Sequence, residues 1–206
     1  MIEIAEQLEA IQRTVSRGPI EGGEGVTVLL GRVYDGAVED VWAALTDPER
    51  IRRWFYPVSG DLRAGGKFQL EGNAGGDILA CEPPHLLRLT FGGPLSLVEL
   101  RLSPDGAERT RLELEHTVPI EMARSGAGAL YVGPGWDGAF LALALFLQGV
   151  VAEDPVAAAS SPEAREFTLR SVHIWVSVVE ASGTAEPEDI AAAKEMSLAQ
   201  FAPEQA

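Results

Sequence analysis

The chain predicts an α+β fold in which a curved antiparallel sheet wraps a long helix toward its C-terminal end. Three observations predict it. Residues 67 to 117 fall into short segments that alternate apolar and polar side chains, the mark of an antiparallel sheet with one wet face. An earlier strand feeds a Trp-bearing helix, and Asp47-Pro48 then opens a second short helix ending in Trp54-Phe55. A late segment, GAFLALALFL from Gly138 to Leu147, carries no charge and reads as a buried helix. This order of parts fits a sheet curled around a helix, with an apolar hollow between them.

Taken in order, residues 2 to 15 place Ile4, Leu8, Ile11 and Val15 at helical spacing, and Gly18-Pro19 with Gly22-Gly23 ends that helix. Val26 to Tyr34 is rich in β-branched residues and reads as the first strand. Glu39 and Asp40 sit in the first turn of the next helix, where acids suit its dipole; Val41, Trp42 and Leu45 form its apolar face. Asp47 caps the second helix with Pro48 at its first position.

Strands are then expected at Lys67 to Glu71, Asp77 to Glu82, His85 to Phe91, Leu97 to Leu102 and Arg109 to Thr117, with Pro104-Asp105-Gly106 as a turn. A glycine-rich stretch precedes a helix from Trp136 to about Val151, long enough at roughly 24 Å to cross the sheet. That helix is apolar all round, so it must be covered all round. Two further helices, roughly Pro162 to Ala181 after Ser160 or Ser161, and Pro187 to Phe201, are available to cover its far side. The expected organisation is an N-terminal helical arm (1–25), a central domain (26–151) and a C-terminal helical extension packed on the long helix (152–206).

Composition narrows function. Among 206 residues, 31 acids against 16 bases give a net charge of −15, which repels phosphates. Nucleic acid and anionic membrane surfaces are therefore not expected partners. Cys81 is the sole cysteine, which removes an internal disulfide and a thiolate cluster. With no basic, apolar leader at the N-terminus, the expected location is the cytoplasm. The uncharged run at 138–147 is too short for a membrane span and is read as core.

The segments VEDVWAALTDPERIRRWF, GGKFQL, GDILACEPP, LLRLTF, TRLELEHT and GPGWDGAFLAL together resemble the family named for the activator of heat-shock protein 90 ATPase, C-terminal-domain type. That family lies in the START-like (SRPBCC) helix-grip superfamily. The similarity covers about Val26 to Leu147, and none of its motifs is catalytic. It implies a helix-grip fold with an internal cavity under the long helix, here with extra N-terminal and C-terminal helices. It also implies a bacterial-type domain binding an apolar ligand, since superfamily members bind lipids, hormones or polyketides and some act on them as enzymes.

The residues expected to line the hollow are Trp54, Phe68, Leu70, Phe91, Leu114, His116, Trp136 and Phe140. Apolar walls with few polar groups are typical of small-molecule sites. Alternation with Leu112 and Leu114 turns His116 inward, where it can hydrogen-bond a ligand, act as a base, or be satisfied locally. His85 and His173 share no metal-ligand spacing with it, so no metal or cofactor is assigned. Glu71 and Asp77 flank a glycine loop that reads as a solvated hairpin, and no nucleophile elbow or phosphate loop is present.

The favoured function is binding of a hydrophobic small molecule or lipid, with homodimerisation compatible. One alternative is a cyclase- or hydrolase-like enzyme using His116. Another is a chaperone-associated or dimeric interaction module.

Overall fold

A computed structural model describes residues 3–203. Its elements begin with α1 (Ile4–Glu9), β1 (Gln12–Ile20), β2 (Gly23–Asp35), α2 (Val38–Thr46) and α3 (Pro48–Ile51). Strands β3 (Val58–Gly60), β4 (Lys67–Leu70), β5 (Gly75–Glu82), β6 (Leu86–Thr90), β7 (Leu97–Pro104) and β8 (Arg109–Pro119) follow. Then come α4 (Ile120–Ala123), a 3-10 turn (Gly126–Tyr131), α5 (Gly133–Leu147), α6 (Pro155–Ala158), α7 (Pro162–Ser182) and α8 (Pro187–Phe201). The strands form an eight-stranded curved antiparallel sheet in the order β1-β2-β8-β7-β6-β5-β4-β3, the helix-grip arrangement expected.

By internal contact the chain forms two compact units, both discontinuous in sequence. One comprises residues 1–30, 117–139 and 159–206; the other comprises residues 31–116 and 140–158.

In the first unit the N-terminal reading needs correction. The helix expected over 2–15 spans only Ile4–Glu9, residue 2 lying outside the described residues, and Gln12–Ile20 is a strand. Ile4, Leu8, Ile11 and Val15 fit a helical period, but the inward set of the strand is Arg13 and Val15, with Gln12, Thr14 and Ser16 exposed. A charged residue on the buried face masks the alternation that announces a strand. The hairpin to β2 turns at Gly22 and Gly23, both at positive φ.

Arg13 is tolerated inside because Asp137 meets it. Its Nε donates to both carboxylate oxygens at 3.0 Å, and its Nη1 donates to the carbonyls of Leu8 at 2.9 Å and Ile11 at 2.7 Å. Asp137, fully buried, also accepts from Ser171 Oγ at 2.5 Å and Trp175 Nε1 at 3.0 Å. Burial pushes the Asp137 carboxyl above its ordinary range, while Arg13, Ser171 and Trp175 oppose that by donating to the anion. Helix α7 is set by Ser161, whose hydroxyl accepts from the Ala164 amide, and by Gly183 in the left-handed conformation at its end. It packs on β1 and brings Trp175 onto Gly133, where a Cβ would overlap the indole ring.

In the second unit β4 to β8 lie where alternation places them; β3 is an addition too short to show a period. Asp47 caps α3 by accepting from the Glu49 amide at 2.8 Å, but the helix stops at Ile51, before Trp54 and Phe55. On the wet side Glu99 takes both Arg88 and Arg101, and Arg109 pairs with Asp105, contacts between exposed arginines and half-buried carboxylates at the surface, each of modest worth. Lys67 and Asp77 likewise pair across the exposed β4–β5 ladder at 2.8 Å.

The second half of α5 packs on the end of β2. Tyr34 donates its hydroxyl to the Phe140 carbonyl at 3.1 Å, and the two rings lie 6.2 Å apart. Leu143 beside them is fully buried. The helix ends at Leu147 rather than near Val151, because Gly149 adopts positive φ and the Val150 amide returns to the Leu145 carbonyl. By length and composition Gly126–Leu147 could cross a membrane, but 56% of its most apolar window is buried inside the protein, as a core helix is.

Two outcomes are expected in urea denaturation. Asp137→Ala should cost about 3–5 kcal/mol, because Arg13 is left buried without its counter-charge. Leu143→Asp should cost more than about 4 kcal/mol by placing an unpaired charge in the core; an unchanged midpoint would contradict this packing.

Candidate functional site

The second unit holds seven of the eight residues expected at the ligand site; Trp136 belongs to the first. The site is built on the inward face of β4 to β6. Phe68, Leu70 and Ile78 are the buried members of this cluster, and Phe55, Tyr56, Val58, Cys81, Leu87, Leu89 and Phe91 pack around them while staying partly exposed. The register explains the grouping: Phe68 faces Gly76 across β4–β5, and Ile78 faces Leu89 across β5–β6. Gly76 is required, since a Cβ there would strike the Thr90 carbonyl.

From this patch an aromatic row leads to the one buried histidine. Phe68 stacks on Phe91 with centroids 6.4 Å apart, and Phe91 meets the edge of His116 at 6.3 Å. His116 Nε2 and Ser96 Oγ share a hydrogen bond of 2.8 Å, both residues being buried. Burial drives the imidazole pKa down to about 4, so the ring is neutral at pH 7. Ser96 is held in place by the β6–β7 turn, where its carbonyl accepts from the Phe91 amide at 2.8 Å and its amide donates to Gly93.

Leu114 and Phe140 are also buried. Trp54 is half-buried and donates its indole N–H to the Ala44 carbonyl at 3.0 Å, which ties the segment after α3 to α2.

Sequence reasoning missed Ser96. It lies in FGGPLSL, outside any alternating run, and only the hairpin brings it to His116, twenty residues away. The other histidines are elsewhere: His85 contacts the Leu102 carbonyl and His173 the Leu169 carbonyl. Among the described residues no group of three or more His, Cys, Asp or Glu side chains converges as a metal site. Burial raises the Cys81 thiol, leaving it protonated and a poor nucleophile.

The second unit also contains an open cleft of about 410 Å³ among Asp35, Asp40, Arg50, Arg53, Phe146 and neighbouring residues. None of the residues expected to bind ligand lines it.

Comparison with known proteins places these features. No curated protein matches the chain. Among solved structures, CalU16 from Micromonospora echinospora is 41% identical by its crystal structure, with a TM-score of 0.67 over 82% of this chain and 98% of that one. Its solution structure gives a TM-score of 0.70 at 39% identity, over 84% and 97% of the two chains. DynU16, described as a putative protein in the dynemicin biosynthetic locus, is 26% identical with a TM-score of 0.51, over 63% of this chain and 48% of that one. An HSP90 activator from Plasmodium falciparum shares the fold at 22% identity and a TM-score of 0.51, over 61% of this chain and 97% of that one.

The profile of the Activator of Hsp90 ATPase homolog 1-like protein family matches residues 35–148, the span that carries the aromatic row and His116, and the chain belongs to that family.

Proposed function

We propose that the protein binds a hydrophobic small molecule or lipid against the inward face of β4 to β6, with Phe68, Leu70, Phe91, Leu114 and Phe140 as apolar wall and His116 as the polar contact. The observation that carries this reading is the thin core of that face: three buried residues ringed by apolar side chains that remain partly exposed. Apolar area left half-covered on a concave sheet is stabilised further when a ligand removes it from water. Trp54 completes the set within this unit; Trp136, in the first unit, is not part of it. The relation to DynU16, encoded in a biosynthetic locus, supports a small-molecule role. The acidic surface and lone cysteine support a cytoplasmic setting.

The neutrality of His116 favours binding over general-base catalysis. An imidazole with a pKa near 4 is a weak base at pH 7, while the buried His116–Ser96 pair sets one neutral polar feature in an apolar wall. A chaperone role rests on the family name alone, because the likeness to the Plasmodium activator is one of fold.

A thermal-shift panel of fatty acids, aromatic polyketides and phospholipids tests the proposal. A true ligand at a hundredfold excess over Kd should raise Tm by roughly 5–10 °C. Phe91→Ala, at a partly exposed position, should weaken that shift. If no compound raises Tm and native mass spectrometry finds none co-purifying, the reading fails.

The histidine also makes a pH prediction. Its folded pKa lies below its ordinary value of 6.5, so the unfolded chain binds the proton more readily. The stability it contributes is complete above about pH 6.5 and is lost as pH falls toward 4, by about 3 kcal/mol. Replacing His116 with Gln should flatten that part of the stability profile; an unaltered acid slope would show that another group sets it.

A further inference from the structure

We infer that the cleft beside Phe146 is a second binding site, for a small zwitterion that carries an apolar body, with an aromatic α-amino acid as the simplest example. Its floor is the Phe146 ring. The guanidiniums of Arg50 and Arg53 both lie over that ring, 5.7 and 5.4 Å from its centroid. Two like charges gathered around one ring raise the local positive potential, in a chain whose net charge is −15.

The same cleft also carries the reverse sign. Asp35 ends β2 and Asp40 lies in the first turn of α2. Asp35 stands on a fixed frame, since the Gly36 amide donates to the Glu108 carbonyl and the buried Thr110 hydroxyl donates to the Gly36 carbonyl, each at 2.8 Å.

The charges are incompletely used. Arg50 reaches Asp40 only at 4.0 Å, and that carboxylate is 72% exposed. Among the described residues Arg53 has no carboxylate partner and Asp35 has no cation. One cation and one anion are thus left over, beside an apolar floor formed by Phe146 with Leu147 and Val151. A plain anion would meet two aspartates, and a plain cation two arginines. A molecule bearing both charges matches both signs: its carboxylate takes Arg53, its ammonium takes Asp35, and its side chain rests against Phe146. The volume of about 410 Å³ suits a molecule of that size. The site is independent of the β4–β6 wall, with which it shares no residue.

The test is a titration of the whole chain followed by amide NMR, using L-phenylalanine, 3-phenylpropionate (no ammonium) and phenethylamine (no carboxylate). L-phenylalanine should give saturable shifts at Gly36 and Gly149, and each single-charge analogue should bind at least fivefold more weakly. Arg53→Gln and Asp35→Asn should each weaken L-phenylalanine about tenfold, whereas Asp35→Asn should strengthen 3-phenylpropionate by removing a repulsion. Both positions are exposed, so the variants should melt with wild type, and Arg53→Lys should restore part of the binding. Equal affinity for 3-phenylpropionate and L-phenylalanine, undiminished binding in both variants, or no saturable shift with any probe would overturn the inference.

Discussion

The structure depends on covering α5. Its sequence, GPGWDGAFLALALFL, offers solvent no charged stripe, so each part of the helix must find its own partner. The first turns, to residue 139, belong with α7 and β1, where Gly133 lets the Trp175 indole approach the backbone. The remainder belongs with the end of β2 and the segment around α3: Tyr34 holds the Phe140 carbonyl, and Arg50 and Arg53 lie over Phe146. A helix that must be buried this thoroughly recruits chain from both ends of the sequence.

Asp137 shows what that burial demands of a polar group. A carboxylate inside α5 persists because three donors from distant segments converge on it, and the guanidinium of Arg13 has its own remaining contacts on the carbonyls of Leu8 and Ile11. Removing either partner leaves a charge in the interior, whereas together each charge faces its opposite, with only the Arg13 Nη2 atom of this group buried without a hydrogen-bond partner. The N-terminal hairpin is thereby tied to α5 and α7 by direction as well as by apolar contact.

The two proposed sites differ in chemistry because they differ in what the sheet and helices leave uncovered. The β4–β6 face presents aromatic and aliphatic surface with one neutral polar pair, His116 and Ser96, a setting for an apolar guest. The cleft at Phe146 presents charges of both signs around one ring, a setting for a guest that carries charge. The family match over residues 35–148 spans the framework of both.

Elements whose signals are local could be read from the chain alone. Alternation in KFQL, LLRLT and RTRLELEHTVP marks strands with a defined inner face, and Asp47-Pro48 and Ser161-Pro162 mark helix starts, because caps and periods act within a few residues. His116 was placed on the buried face for the same reason. The partners were fixed by the folded arrangement. It made Gln12–Ile20 a strand, since Arg13 turns inward only when Asp137, 124 residues away, is there to receive it. It gave His116 its serine, and it set Arg50 and Arg53 of the PERIRRWF segment over Phe146. Buried polar groups must be satisfied, and which distant group satisfies them is fixed by chain closure, a property no local pattern encodes.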